Sequence, residues 1–114
     1  MRVTGINGES GPLWGLVDSG ADRTSLPLGY ATLMGYGVED LTMETGTGAN
    51  GEFTMHVASR ASTAVVPEIP QHVVEFAPIF LPGARTVLWG RRDFMRRFTV
   101  SIMESSQHFA ITPV

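Results

Sequence analysis

At 114 residues the chain can bury one hydrophobic core but not two, so a single domain over residues 1–114 is expected. Its 43% hydrophobic and 17% charged residues, with 13 glycines, suit a turn-rich globular protein and exclude disordered, collagen-like and coiled-coil classes. A net charge of −3 leaves no basic footprint for nucleic acid, and the absence of cysteine removes disulfides, thiolate nucleophiles and Cys-ligated zinc.

Every basic side chain is arginine, and only Arg91, Arg92, Arg96 and Arg97 cluster. Met1 to Ile6 shows no signal-peptide hydrophobic region, and no apolar run approaches the roughly 20 residues of a membrane-spanning helix. A soluble, cytoplasmic protein with no membrane partner is therefore expected.

Arg2 to Ile6 alternates polar and apolar residues, Asn7-Gly8-Glu9-Ser10-Gly11 supplies turn chemistry, and Leu13 to Val17 resumes the apolar pattern. This predicts a hairpin whose second strand is buried and ends at Asp18. Gly20 permits a tight turn directly after it. A carboxylate and a hydroxyl, Asp18 and Ser19, thus sit at a strand's end, where an acid catalyst would be placed. Pro27 can start a short helix over Leu28 to Met34, closed by Gly35-Tyr36-Gly37.

Leu41 to Thr45 and Glu52 to Val57 alternate on either side of Gly46-Thr47-Gly48-Ala49-Asn50-Gly51, which predicts a long hairpin. Its glycine-rich tip can change conformation and approach another chain closely, as a flap over an extended substrate would. Ser59 to Gln71, broken by Pro67 and Pro70, reads as a connection with an irregular or edge strand. His72 to Phe80 reads as a strand. Thr86 to Trp89 is an apolar strand stopped at Gly90, where another segment could pass close by, and Arg92 to Phe98 follows as a short amphipathic helix. Thr99 to Met103 and Phe109 to Thr112 form a final hairpin around Glu104-Ser105-Ser106-Gln107.

The run Leu16-Val17-Asp18-Ser19-Gly20-Ala21-Asp22, with Leu88-Trp89-Gly90-Arg91 later in the chain, resembles the signature of the retropepsin-like aspartic proteases. In that family a hydrophobic pair precedes Asp-Thr/Ser-Gly-Ala, and a hydrophobic-hydrophobic-Gly-Arg motif lies across from the catalytic loop. The order of elements agrees over nearly the whole chain. The resemblance implies an all-β fold: a closed retropepsin-like acid protease barrel with one short C-terminal helix and half a site per chain.

It further implies that Asp18, Ser19 and Gly20 form the catalytic loop. Asp22, Ala21 and the flap residues Gly46, Thr47, Gly48, Ala49, Asn50 and Gly51 would bind substrate. Trp89, Gly90 and Arg91 would give structural support, with Arg91 pairing with Asp22. Chain termini, here Met1 to Thr4 and Phe109 to Pro113, would interleave between subunits, and release from a larger precursor would be in keeping with the family.

Aspartic proteolysis needs two carboxylates that share a proton and hold one water. No second Asp-Ser/Thr-Gly exists, since Asp22 precedes Arg23, Asp40 precedes Leu41 and Asp93 precedes Phe94. The expectation is a homodimeric aspartic endopeptidase acting on extended polypeptide with hydrophobic residues beside the cut, most active at acidic to mildly acidic pH. His56, His72 and His108 lack ligand spacing, and G-x-S-x-G is absent, so no metal, no cofactor and no serine-hydrolase chemistry are expected. Trp89 and the Ala49-Asn50-Gly51 tip depart from common family residues, and the alternative is a catalytically weak or inactive dimerisation or peptide-binding module on the same fold.

Overall fold

Prolines and glycines cut this chain into short strands, which a computed structural model describes over residues 1–49, 51–106 and 108–114. Strand β1 (Arg2–Thr4) turns back through Asn7 and Gly8, the latter at φ 81°, into β2 (Ser10–Pro12). The second arm of this hairpin is β2, not the expected Leu13 to Val17. The pairing runs past Pro12 to Leu13, whose N–H donates to Met1 O at 2.8 Å, then Leu13 is buried in the core and the chain enters a different sheet as β3 (Gly15–Val17).

Next come β4 (Ser25–Pro27) and α1 (Tyr30–Leu33), a helix shorter than predicted, with Gly35 at φ 88° just beyond it. Strands β5 (Leu41–Gly48) and β6 (Gly51–Ala58) form the long hairpin, in register from Leu41 opposite Ala58 to Gly48 opposite Gly51. The remaining strands are β7 (Ser62–Val65), β8 (Val74–Phe76), β9 (Ile79–Leu81), β10 (Val87–Trp89), β11 (Phe98–Met103) and β12 (His108–Pro113).

They assemble into a four-stranded sheet β2-β1-β7-β8, a six-stranded sheet β3-β10-β4-β9-β6-β5 and a two-stranded sheet β11-β12. The fold is mostly β but is not a closed barrel. Closure would require strands running continuously from one sheet into the next. Three connections pass between the two larger sheets, β2 to β3, β6 to β7 and β8 to β9, and each is broken by residues outside the ladders, the last at the buried Pro78.

Two further expectations are corrected. Strand β7 is not an edge but lies between β1 and β8, because its alternate residues Ser62 and Ala64 are buried. Within the chain β1 is paired on both sides, Arg2 facing Pro12 and Val65. The C-terminal helix is reduced to a 3-10 turn at Met95–Arg97. Phe94 and Met95 both donate to Gly90 O, at 3.2 and 3.0 Å, and Arg97 donates to Phe94 O, so no regular ladder propagates before Phe98 enters β11.

The core joins Leu26 and Phe80, both fully buried, to Val74, Val87 and an aromatic series. Phe76 meets Trp89 edge-on at 5.7 Å, Trp89 meets Phe94 at 5.7 Å, and Phe94 meets Phe98 at 4.9 Å. Trp89 is therefore a core residue behind the Asp18 loop. Among the described residues no helix is long and apolar enough to cross a membrane.

Candidate active site around Asp18

The loop Asp18–Thr24 joins β3 to β4, yet these strands do not pair with each other. Strand β10 lies between them, parallel to β3 with Leu88 opposite Leu16, and antiparallel to β4 with Leu88 opposite Ser25. The loop must therefore arch over the end of β10. The Asp18 N–H donates to Trp89 O at 3.0 Å, Arg91 N–H to Ala21 O at 2.9 Å and Arg92 N–H to Asp22 O at 2.9 Å, which fixes both limbs of the arch to the end of the central strand.

Glycine is required at position 90 for a steric reason. A Cβ there would stand 2.3 Å from the Arg23 carbonyl carbon and 2.7 Å from its Cα. The expected close passage of another segment at this glycine is thus the Arg23 backbone of the same loop. Beneath it, Thr24 is fully buried and acts as a rivet. Its hydroxyl accepts Gly90 N–H at 3.1 Å and donates to Asp93 Oδ1 at 2.7 Å, while its N–H donates to both Asp93 oxygens at 3.2 and 3.1 Å.

Within the arch the Asp18 carboxylate is half-buried, and its Oδ1 accepts Gly20 N–H at 2.8 Å. The turn is closed by Ala21 N–H donating to Asp18 O at 3.1 Å, and Ser19 and Gly20 are exposed at its tip. The other aspartates are committed elsewhere. Asp22 faces Arg92 at 3.1 Å and Arg91 at 3.6 Å, Asp93 holds Thr24, and Asp40 accepts Gly37 N–H at 2.9 Å and faces Arg60 at 3.6 Å. Among the described residues Asp18 is the loop carboxylate without an ion-pair partner. No family model, no curated protein and no solved structure matches this chain.

Strand β3 is an exposed edge, not the buried strand expected. Trp14 is 85% and Leu16 62% exposed. Trp14 directly precedes the strand, and Leu16 lies within it two residues before Asp18. Beside this strand is a largely apolar cleft of about 480 Å³, lined by Met1, Trp14, Val17, Trp89, Phe94 and Ile111 among others.

The flap residues Gly46, Thr47, Gly48, Ala49 and Gly51 lie together at the end of the β5–β6 hairpin, and the structure does not bring them against Asp18; Asn50 lies outside the described residues. Strands β3 and β5 occupy opposite edges of the six-stranded sheet, roughly 24 Å apart at the usual interstrand spacing. Beyond His56, which faces Phe80 of β9, the hairpin overhangs the body by about 17 Å at 3.4 Å per residue, and Glu44, Glu52, Phe53 and Thr54 are exposed there. Gly51 adopts φ 101° at the tip.

Thr24, Asp93 and Arg92 were not anticipated from sequence. Asp93 does carry a local signal, a carboxylate three residues after a strand-stopping glycine, but its partner is 69 residues away. Among the described residues no cluster of three metal-ligating side chains occurs.

Proposed function

We propose that this chain is one half of an aspartic endopeptidase, with Asp18 from each of two copies forming the catalytic pair across a twofold axis. What carries the reading is the loop itself: a carboxylate with no ion-pair partner among the described residues, oriented by the Gly20 amide and raised on an arch fixed to the end of β10. The resemblance of Leu16–Asp22 and Leu88–Arg91 to retropepsin-like motifs supports it. The pairing of β3 with β10, which sets the second motif beside the first, supports it too.

In the assembled site two carboxylates about 3 Å apart hold one proton and one water between them. The ionised member takes a proton from the water as its oxygen attacks the scissile carbonyl carbon, and the protonated member gives its proton to the carbonyl oxygen. A tetrahedral diol results. Its collapse returns one hydroxyl proton to the ionised carboxylate while the protonated member gives its proton to the amide nitrogen and the C–N bond breaks, which releases a carboxylic acid and an amine and restores the singly protonated pair. The exposed Trp14 and Leu16 beside the apolar cleft suit a substrate with hydrophobic residues beside the cut, and the overhanging β5–β6 hairpin suits a cover for an extended chain.

The test is cleavage of a mixed peptide library between about pH 4 and 7 by the wild-type chain and by Asp18→Asn, with the solution mass of each recorded. Cleavage by a dimeric wild type and its loss in Asp18→Asn is the expected result. Two folded, dimeric but inactive proteins would replace this reading with that of a peptide-binding module.

A further inference from the structure

The β1–β2 hairpin has one open edge. Val3 faces Gly11, and the pairs on either side are bonded through the main chain, Leu13 N–H to Met1 O at 2.8 Å and Gly5 N–H to Glu9 O at 3.0 Å. Glu9, Gly11 and Leu13 therefore turn their main-chain groups towards β1. Bonding direction alternates along an antiparallel strand, so the N–H and carbonyl of Ser10 and the carbonyl of Pro12 point outward. Strand β2 ends its sheet on that side. Pro12 stands where its missing N–H takes nothing from the ladder with β1.

Side chains alternate as well. The Ser10 hydroxyl meets the Thr4 hydroxyl at 2.7 Å on one face, so Glu9, Gly11 and Leu13 belong to the other, the face on which the end of α1 rests. There α1 is seated directly on Gly5, where a Cβ would stand 2.4 Å from Met34 O. Over Gly11 the space is open, with nothing within 4 Å of an added Cβ. The missing side chain leaves a groove of about 220 Å³ between β2 and α1, walled by Tyr30, Met34 and the exposed Leu33. Glu9 also lines it, exposed and with no ion-pair partner among the described residues.

We infer that this groove docks an extended segment of the substrate polypeptide away from the catalytic pair, added as a strand to β2 and anchored by one large apolar side chain over Gly11. The inference rests on the peptidase reading above. A single residue of an antiparallel segment satisfies both outward groups of Ser10. The residue facing Gly11 then forms the closer, non-hydrogen-bonded kind of pair, which brings its side chain over the groove. A basic residue two positions from that anchor would face Glu9. Continuity with the candidate site identifies the occupant as substrate: Pro12 and Leu13 line both this groove and the apolar cleft beside β3. Gly11 precedes Asp18 by seven residues, at most about 24 Å of extended chain, so one polypeptide can reach both.

The experiment measures binding of fluorescent extended peptides, with a central Leu or Phe and an Arg two residues away, to the Asp18→Asn chain. Bound peptide should slow hydrogen exchange of the Ser10 amide. Gly11→Leu in the same chain fills the groove and should weaken binding at least about tenfold, the scale of one large apolar side chain left unburied, with urea unfolding used to verify the fold. Glu9→Arg, a change at an exposed position, should turn the preference from peptides carrying Arg to those carrying Glu. In the cleaving chain, Gly11→Leu should raise KM for an unfolded polypeptide several-fold. Absent binding, binding that Gly11→Leu changes less than about twofold, or protection confined to Trp14–Val17 would overturn the inference and leave the peptidase reading intact. Peptides held at Ser10 and Gly11 by a wild-type chain that cleaves nothing would sink the catalytic reading, and would overturn substrate as the occupant in favour of a segment of a separate protein.

Discussion

Replacing Asp93 with alanine isolates the contribution of the rivet beneath the Asp18 loop. The substitution removes the acceptor for the Thr24 N–H and for the Thr24 hydroxyl, the latter bond being 2.7 Å long, at a residue with no solvent exposure. Two buried donors left without partners cost about 1–3 kcal/mol each, and the ionised acceptor places the loss towards the middle of that range, about 3–4 kcal/mol in all. With a urea dependence of about 1.5–2 kcal/mol per molar, the unfolding midpoint should fall by roughly 2 M. Asp93→Asn, which keeps one acceptor oxygen, should lose about half as much. Equilibrium urea unfolding followed by tryptophan fluorescence reads the effect directly, since Trp89 sits in the core beside Phe94. An alanine variant whose midpoint lies within about 0.3 M of wild type would refute the claim that Thr24 and Asp93 fix the loop.

Gly90→Ala forces a methyl group into the Arg23 backbone, 2.3 Å from its carbonyl carbon, and thermal unfolding should occur about 10 °C lower, the upper range for an overpacked site. Tyr36→Phe removes a hydroxyl that donates to Arg60 O at 2.8 Å and lies 2.7 Å from the buried Ser62 hydroxyl, at a cost of about 1–3 kcal/mol in urea unfolding at neutral pH. Burial raises the Tyr36 phenol above its usual 10.0, so the wild type should hold its full contribution below pH 10 and lose it as pH rises through the higher folded value; the phenylalanine variant should lack this alkaline loss. Arg92→Gln removes an exposed partner of Asp22 and should cost less than about 1 kcal/mol, an effect that vanishes in high salt when the unfolding curves are repeated there.

The elements that depend on local pattern were legible in the sequence. Alternation and glycine content predicted the β5–β6 hairpin, and the glycine after an apolar run marked the close passage at position 90. Asp18 at the end of a strand was also legible, because turn chemistry is written in adjacent residues. What failed was set by distant contacts. Whether β3 is buried depends on what covers it, and Trp14 and Leu16 are exposed although their composition matches a core strand. Sheet closure depended on where the strands break as they pass from one sheet to the next, as at Pro78, and the mate of Asp93 lay 69 residues away. Arginine placement shows the same limit: Arg91 was expected beside Asp22, yet Arg92 approaches more closely, because the backbone bonds of both residues to the loop leave the choice to side-chain direction.

The threading of β10 between β3 and β4 also dictates the order in which the protein can be made. A chain still on the ribosome can pair β1 with β2 and close the β5–β6 hairpin from local contacts, but the strand that separates the two limbs of the Asp18 loop is not yet available. Contacts spanning 69 residues are slow to form, because loop entropy is lost before they contribute. A nascent or truncated chain ending before Val87 would carry Asp18 with no frame beneath it, so acquisition of the loop geometry is tied to completion of the fold. The exposed Pro82-Gly83 turn just upstream, with Gly83 at φ 79°, is then a point where a single protease nick would separate the acid-bearing segment from the strand that holds it.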